Sequence, residues 1–385
     1  MTLAPAIEDL LAPQRRFDAL RRKTVLRAGA ELADLAYGNA YGRPDPSVIA
    51  AIQRALENAG ELGLQYTPYG GSTIARRLVA EHLSRISGLD FAFRDVVLTP
   101  GAMAALNLVF RALRERGPGE VIVPVPCWLD YPLYLENLGL VARFVAVDPV
   151  TLRLDLAAIA SALNPRTVAL LLMQPANPSG VRHSEGELRA LADLMHAAGS
   201  PLLLISDESH REVRIDDEPL VSPATVWART AVIHSFGKSL QIQGQRIGYV
   251  AVAPAMPERS DFLETLEKLC RVMGFCTPTA LMQLALGDLL AHTPDWSLLR
   301  QRRKIALAAL RAGGYEVVPS EASYFLYPRT PGGDDWVHAE RLAEQGVLVI
   351  PAPVFHHRGH FRIALTCSDA MLDKAALVFA TGGGA

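Results

Sequence analysis

HSFGKSLQIQGQRIGYV, residues 234–250, follows an apolar run from Ala231 to Ile233 that reads as a strand. That strand delivers Ser235, then Lys238 three residues later, then Arg246 eight beyond it, with Gly244 two residues before the arginine. A lysine amine condenses with an aldehyde, while a serine hydroxyl and an arginine fork hold a phosphate monoester. The stretch therefore asks for a ligand with both an aldehyde and a phosphate, and pyridoxal phosphate has both.

Upstream, short apolar runs alternate with amphipathic helices from Val96 onward: VVLT, EVIVPV, RFVAV, TVALLLMQ, PLLLISDES, TAVIHSFGK and RIGYVAV. Near-continuous apolar strands separated by helices predict a mostly parallel sheet covered on both faces. The last two strands are too close for a helix between them, which predicts one antiparallel strand. Polar residues fall at the carboxyl ends: Gly101 and Ala102, then Trp128, Asn177, Asp207, and finally Ser235 with Lys238. Open α/β sheets bind ligands beyond those ends, so these residues are expected to converge on one pocket.

The flanks read differently. Residues 1–34 look mostly helical, a loop LADLAYGNAYGRPDP follows at 32–46, and Ser47 is placed to cap a helix that Gly60 would end. After Arg271 come helices, then YEVV, SYFLY, a helix DWVHAERLAEQG, and the strands VLVIP and HFRIAL, an α+β pattern. The expected fold is α/β, a large doubly wound domain over residues 46–288 with a smaller α+β domain from residues 1–45 and 289–385.

Half of the 385 residues are apolar, a fifth are charged, and the formal net charge is −2, which argues against disorder or electrostatic capture of nucleic acid. Cys127, Cys270, Cys276 and Cys367 lack CxxC spacing, so buried thiols in a reducing cytoplasm are expected rather than disulfides or zinc. Glu8 and Asp9 precede any apolar run, unlike a signal peptide, and no window reads as a membrane span. The basic residues Arg15, Arg16, Arg21, Arg22, Lys23 and Arg27 share a helical stretch with Phe17, Leu20 and Leu26, and read as its solvated side. His356, His357 and His360 lie near Arg358 without a carboxylate and are not expected to hold metal.

Together these motifs, from the YGNAYGRPDP loop to HFRIALT, resemble the fold-type I pyridoxal-phosphate enzymes of the class I/II aminotransferase family, related to aspartate aminotransferase. The resemblance implies that Lys238 forms the Schiff base with pyridoxal 5'-phosphate and shuttles the substrate proton. Ser235, Arg246 and the PGAM turn, with Gly101, Ala102 and Met103, match the phosphate site, where a helix N-terminus offers its amides to the anion. Asp207 matches the partner of the pyridine nitrogen and Asn177 the donor to the ring hydroxyl, while Trp128 falls where a ring covers the pyridine face. Arg362 matches the grip on the substrate carboxylate, with Gly38, Asn39 and Asn177 around it. Tyr66 matches the tyrosine that reaches a neighbouring subunit's phosphate, which implies a homodimer.

Three departures stand out. His210 replaces the usual tyrosine beside the ring oxygen, and an imidazole with an ordinary pKa of about 6.5 is expected to make the cofactor pH-sensitive. Met103 replaces a hydroxyl residue, and Gly237 and Ala352 reshape the surroundings. The leading expectation is transfer of an amino group between an amino acid and a 2-keto acid; the alternative is a lyase, β- or γ-substitution enzyme, cyclase or oxidase on the same cofactor. A regulator of this fold would need an attached DNA-binding module, and no helix-turn-helix-sized extension precedes residue 35. A nucleotide-binding oxidoreductase is disfavoured because no GxGxxG follows a strand.

Overall fold

The computed structural model describes residues 3–199, 201–216, 218–275 and 277–382, so Cys276 and the last three residues of the tail lie outside the described residues. In chain order the strands are β1 Ala33–Asp34, β2 Val96–Thr99, β3 Glu120–Val125, β4 Val141–Ala146, β5 Thr167–Met173, β6 Leu203–Asp207, β7 Thr230–Ser235, β8 Gly248–Val252, β9 Phe325–Leu326, β10 Val347–Leu348, β11 Ile350–Pro351 and β12 Phe361–Ala364. Seven of them form one sheet in the order β2-β8-β7-β6-β5-β3-β4. All neighbours are parallel except β8, which runs antiparallel to both β2 and β7. The α/β architecture is thus the expected one, antiparallel strand included.

Strand alternation explains the two covered faces. Val97, Val121, Val123, Leu171, Ile205, Ile233 and Val250 point to one side and pack with Leu106, Phe110, Phe262 and Leu266 of the helices Ala102–Glu115 and Arg259–Met273. On the other side, Val96, Leu98, Val232 and Tyr249 meet the helices Thr73–Ser87 and Ala280–Ala291. A separate core joins Ala33 and Leu35 to Leu310, Phe325, Leu342, Phe361 and Phe379. The sheets β11-β12-β9 and β1-β10 belong to this part of the chain.

Two local expectations are corrected. The helix Pro46–Glu57 is capped by Asp45, whose carboxylate accepts from the Ser47 amide at 2.8 Å, and it ends at Asn58 rather than Gly60. Proline's fixed φ suits the first helical position, where its missing amide is no loss, so the helix starts at Pro46 and the cap falls on Asp45. On the helix Pro5–Ala28 the basic residues Arg15, Arg16, Arg22, Lys23 and Arg27 are exposed as expected, but Leu26, read as part of the apolar face, is 87% exposed as well. Arg21 meets Asp34 at 3.0 Å, Arg27 donates to the Ala343 carbonyl, and Arg16 lies 4.2 Å over the Trp336 ring. Arg16 and Arg27 thus tie this helix to the C-terminal third.

At the carboxyl edge of the large sheet the chain approaches itself closely. Gly248 pairs with both Thr99 and Ser235, and a Cβ there would lie 2.3 Å from the His234 carbonyl oxygen and 2.9 Å from Gly101 Cα. Those neighbours are backbone and cannot rotate away. Gly248→Ala is therefore expected to cost about 1–3 kcal/mol or more by overpacking, read as a fall in the urea midpoint; an unchanged midpoint would contradict this three-strand contact.

Candidate active site

Gly101 takes φ +83°, the left-handed region, between β2 and the helix Ala102–Glu115. A Cβ on it would sit 2.4 Å from an Arg246 guanidinium nitrogen, so glycine is what allows the arginine to lie on this turn. Arg246 donates to the Gln243 carbonyl at 2.6 Å and has no carboxylate partner among the described residues. A bare guanidinium beside free amides of a helix start favours an anion. Ser235 is buried across the row from Gly248, and the Ala102 amide belongs to the same first turn. Met103 lies in the same first turn and is 44% exposed, and a thioether has no hydrogen to donate to an anion.

Asp207 ends β6 fully inside the protein. The Tyr131 hydroxyl donates to its Oδ2 at 2.6 Å and the Ser209 amide donates to its Oδ1 at 3.0 Å. Burial raises its pKa above the ordinary carboxylate value; the bonds from Ser209 and Tyr131 and the nearby Lys238 charge offset only part of that. Lys238 follows β7 in a half-buried turn. The next glycine-permitted approach is Gly237, whose Cβ would lie 2.9 Å from Gln243 Cα.

Arg362 is buried on β12 between two rings, with its guanidinium carbon 4.2 Å from the Phe325 centroid and 4.7 Å from that of Phe355. It donates to Asn177 Oδ1 at 2.9 Å and to the Ala36 carbonyl at 2.7 Å, while its Nε finds no partner among the described residues. Burial pushes its pKa down to about 10, so it remains a cation at neutral pH. Gly38 lies against Tyr324, with 2.7 Å from a virtual Cβ to the phenol oxygen, and its carbonyl accepts from Gln243 at 3.2 Å. Asn39 is exposed on the same loop.

His210 is buried with Nδ1 2.9 Å from Ser323 Oγ, beside the rings of Tyr324 and Phe325. Burial first, then Lys238, Arg362 and His234, hold its pKa well below the usual 6.5. The expected pH sensitivity near neutrality is thus corrected: the imidazole stays neutral there. Trp128 meets Tyr131 and Tyr134 edge-on at 5.3 and 5.7 Å. Tyr66 is fully exposed and is not among the residues that this chain brings together.

Tyr131, Tyr134, Phe325, Phe355 and Ser323 went unread in the sequence. The aromatic spacing of Trp128, Tyr131 and Tyr134 at i, i+3 and i+6 was a legible helical stripe; the phenylalanine sandwich gave no such signal. A cavity of about 390 Å³ bounded by His82, Arg211, Glu212 and Trp296 contains none of Lys238, Asp207, Asn177, Arg246 or Arg362. The strand-end residues gather as an open cluster instead. His356 stacks on Phe144 and His360 on Tyr327.

Residues 30–379 match the family described as aminotransferase class I and II. The chain belongs to that family. The aspartate/prephenate aminotransferase of Thermus thermophilus is 30% identical over 367 residues, covering 92% of this chain and 91% of that one. The methionine aminotransferase of Escherichia coli is 29% identical over 370 residues, covering 92% of each. A Thermus thermophilus aspartate aminotransferase mutant structure superposes with a TM-score of 0.87 at 26% identity, over 99% of both chains. This chain is an aminotransferase, a transferase of a family that uses pyridoxal phosphate, and the lyase, substitution, cyclase and oxidase alternatives are not favoured. No described helix of this aminotransferase is long and apolar enough to cross a membrane.

The cradle of Gly101 and Arg246, the buried Asp207, and the unpartnered buried Arg362 Nε and Tyr134 hydroxyl fit a phosphorylated pyridine with an anionic substrate beside it. Without that ring Asp207 is a buried charge with a raised pKa. Above that pKa the folded chain carries a charge that burial penalises; below it the proton removes the penalty. Asp207→Asn is therefore expected to stabilise the cofactor-free aminotransferase at pH 7, with the gain fading as pH falls through the raised pKa toward the ordinary value of about 3.9. Denaturation midpoints against pH read this, and a pH-independent difference would refute it.

Proposed function

We propose that Lys238 holds pyridoxal phosphate as a Schiff base and that the surrounding residues serve transfer of an amino group between an amino acid and a 2-keto acid. The observation that carries this reading is the meeting of three strand ends, where the Gly101–Arg246 cradle, Asp207 and Lys238 share one edge of the sheet. When bound, the cofactor supplies a ring that accepts the electron pair left at the substrate α-carbon.

In this reading Ser235, Arg246 and the amides of Gly101 and Ala102 hold the phosphate, with Met103 offering no hydrogen bond. Asp207 keeps a proton on the pyridine nitrogen, and facing that cation restores its own charge. Trp128 covers the ring face, while Asn177 and His210 serve the ring oxygen. Lys238 Nζ would also take and return the proton at the substrate α-carbon. Arg362 grips the substrate carboxylate, oriented by Asn177, with Gly38 and Asn39 on the loop that covers it. Tyr66, fully exposed in the single chain, would reach the phosphate of a partner subunit in a homodimer. The buried thiols Cys127 and Cys367 suit a reducing cytoplasm. Division into 46–288 and 1–45 with 289–385 follows the cores around the large sheet and around Phe325 and Phe361, while a further core of Phe17, Val147, Val181 and Tyr327 joins the two parts.

Lys238→Ala should fold and lose the visible absorbance of covalently held cofactor; persistence of that absorbance would reassign the anchor. With an amino acid and no 2-keto acid, the enzyme should release one equivalent of keto acid per site and stop, whereas continued turnover would contradict transamination as the sole reaction. Arg362→Lys should lower kcat/KM by about 10- to 150-fold, the worth of a charge-assisted fork. Equal loss for an amine lacking the carboxylate would show that the arginine does not grip that group.

A further inference from the structure

The position beside the cofactor oxygen carries His210, and Ser323 has been given no role. Ser323 is fully buried and adopts φ +67°, a left-handed backbone unfavourable for a residue with a side chain. Its amide donates to the Val213 carbonyl at 3.0 Å, and the Val213 amide donates to the His210 carbonyl at 2.9 Å. These two bonds lock the Ser323 segment against the His210 loop. The serine hydroxyl then lies 2.9 Å from His210 Nδ1, its single hydrogen-bond partner among the described residues.

A hydroxyl owns one proton and two lone pairs, and a buried donor without an acceptor costs more than an idle lone pair. If Nδ1 carried the proton, the Ser323 O–H would have no described acceptor. If Ser323 donates to Nδ1, both atoms are satisfied and the neutral imidazole must carry its proton on Nε2. The charged groups around the ring, Lys238, Arg362 and His234, are cations or a histidine, and none of them stabilises a second proton.

We propose that Ser323 is a positioning residue that fixes His210 as the neutral Nε2–H tautomer, giving the cofactor side of the pocket one fixed donor in place of a phenol. This rests on the reading of Lys238 as the cofactor anchor. It explains why a serine is kept at a backbone angle where glycine would be relaxed.

The test uses the full chain labelled with ¹⁵N-histidine, without and with cofactor. In the cofactor-free protein, one imidazole, absent from the His210→Asn spectrum, should show protonated Nε2 and bare Nδ1 from pH 6 to 8. Ser323→Ala keeps the Cβ and Ser323→Gly removes both Cβ and strain, yet both should turn that ring into a tautomer mixture. Both should also weaken cofactor affinity about three- to tenfold, with the pH profile of the cofactor's visible absorbance shifted. A protonated Nδ1 in the wild type, or an unchanged tautomer in both variants, overturns the proposal. If instead Lys238→Ala leaves the lysine-linked absorbance intact, the cofactor reading fails while the tautomer result stands by itself.

Discussion

A carboxylate buried at the end of a central strand is the constraint around which the site is built. Asp207 accepts from Tyr131 and Ser209 and keeps a partly offset desolvation penalty. The residue that follows the strand, Glu208, points to the opposite side, where its oxygens accept from Ser206, Ser222 and Arg211 at 3.1, 2.5 and 3.0 Å. Arg211 in turn donates to Tyr249 on β8 at 2.9 Å. One side of the strand exit is thus fully tied down, and it holds rigid the carboxylate on the other side, which lacks a complete cationic partner. Such a residue costs the empty fold stability, and in the proposed role it would regain that cost against a protonated pyridine.

The single antiparallel strand has a positional consequence. In a wholly parallel sheet every strand would present its carboxyl end at the ligand edge and its amino end far away. Because β8 runs the other way, Arg246, two residues before it, arrives at the edge where β2 and β7 finish. Gly101 and Gly248 then allow backbone and guanidinium to close together. The strand reversal and the two glycines are one device for putting a cation on a helix start.

The sheet and the strand-end residues could be read in the sequence because both depend on local periodicity: apolar runs of strand length, followed by residues such as Asn177, Asp207 and Lys238. The cap at Asp45, the docking of the first helix through Arg21 and Arg27, and the ring sandwich around Arg362 could not be read that way. Each depends on partners brought in from elsewhere in the chain, as far as 316 residues away, or on proline taking the first helical position. His210 shows the boundary well. Its identity as a departure was visible, yet its neutrality depends on Lys238, Arg362 and burial, which only the folded chain assembles.

Arg362 shows how the two parts of the chain cooperate in recognition. A guanidinium has five N–H donors, and two of its nitrogens each spend one on Asn177 and Ala36, residues that lie far apart in sequence. Those bonds, with Phe325 and Phe355 above and below, fix the plane of the fork while leaving donors, including the buried Nε, for another acceptor. The lowered pKa reports the strain of holding this cation out of water. In the role proposed for Arg362, an arriving carboxylate would meet a plane already oriented and would offset that desolvation, so less side-chain entropy would be lost on binding.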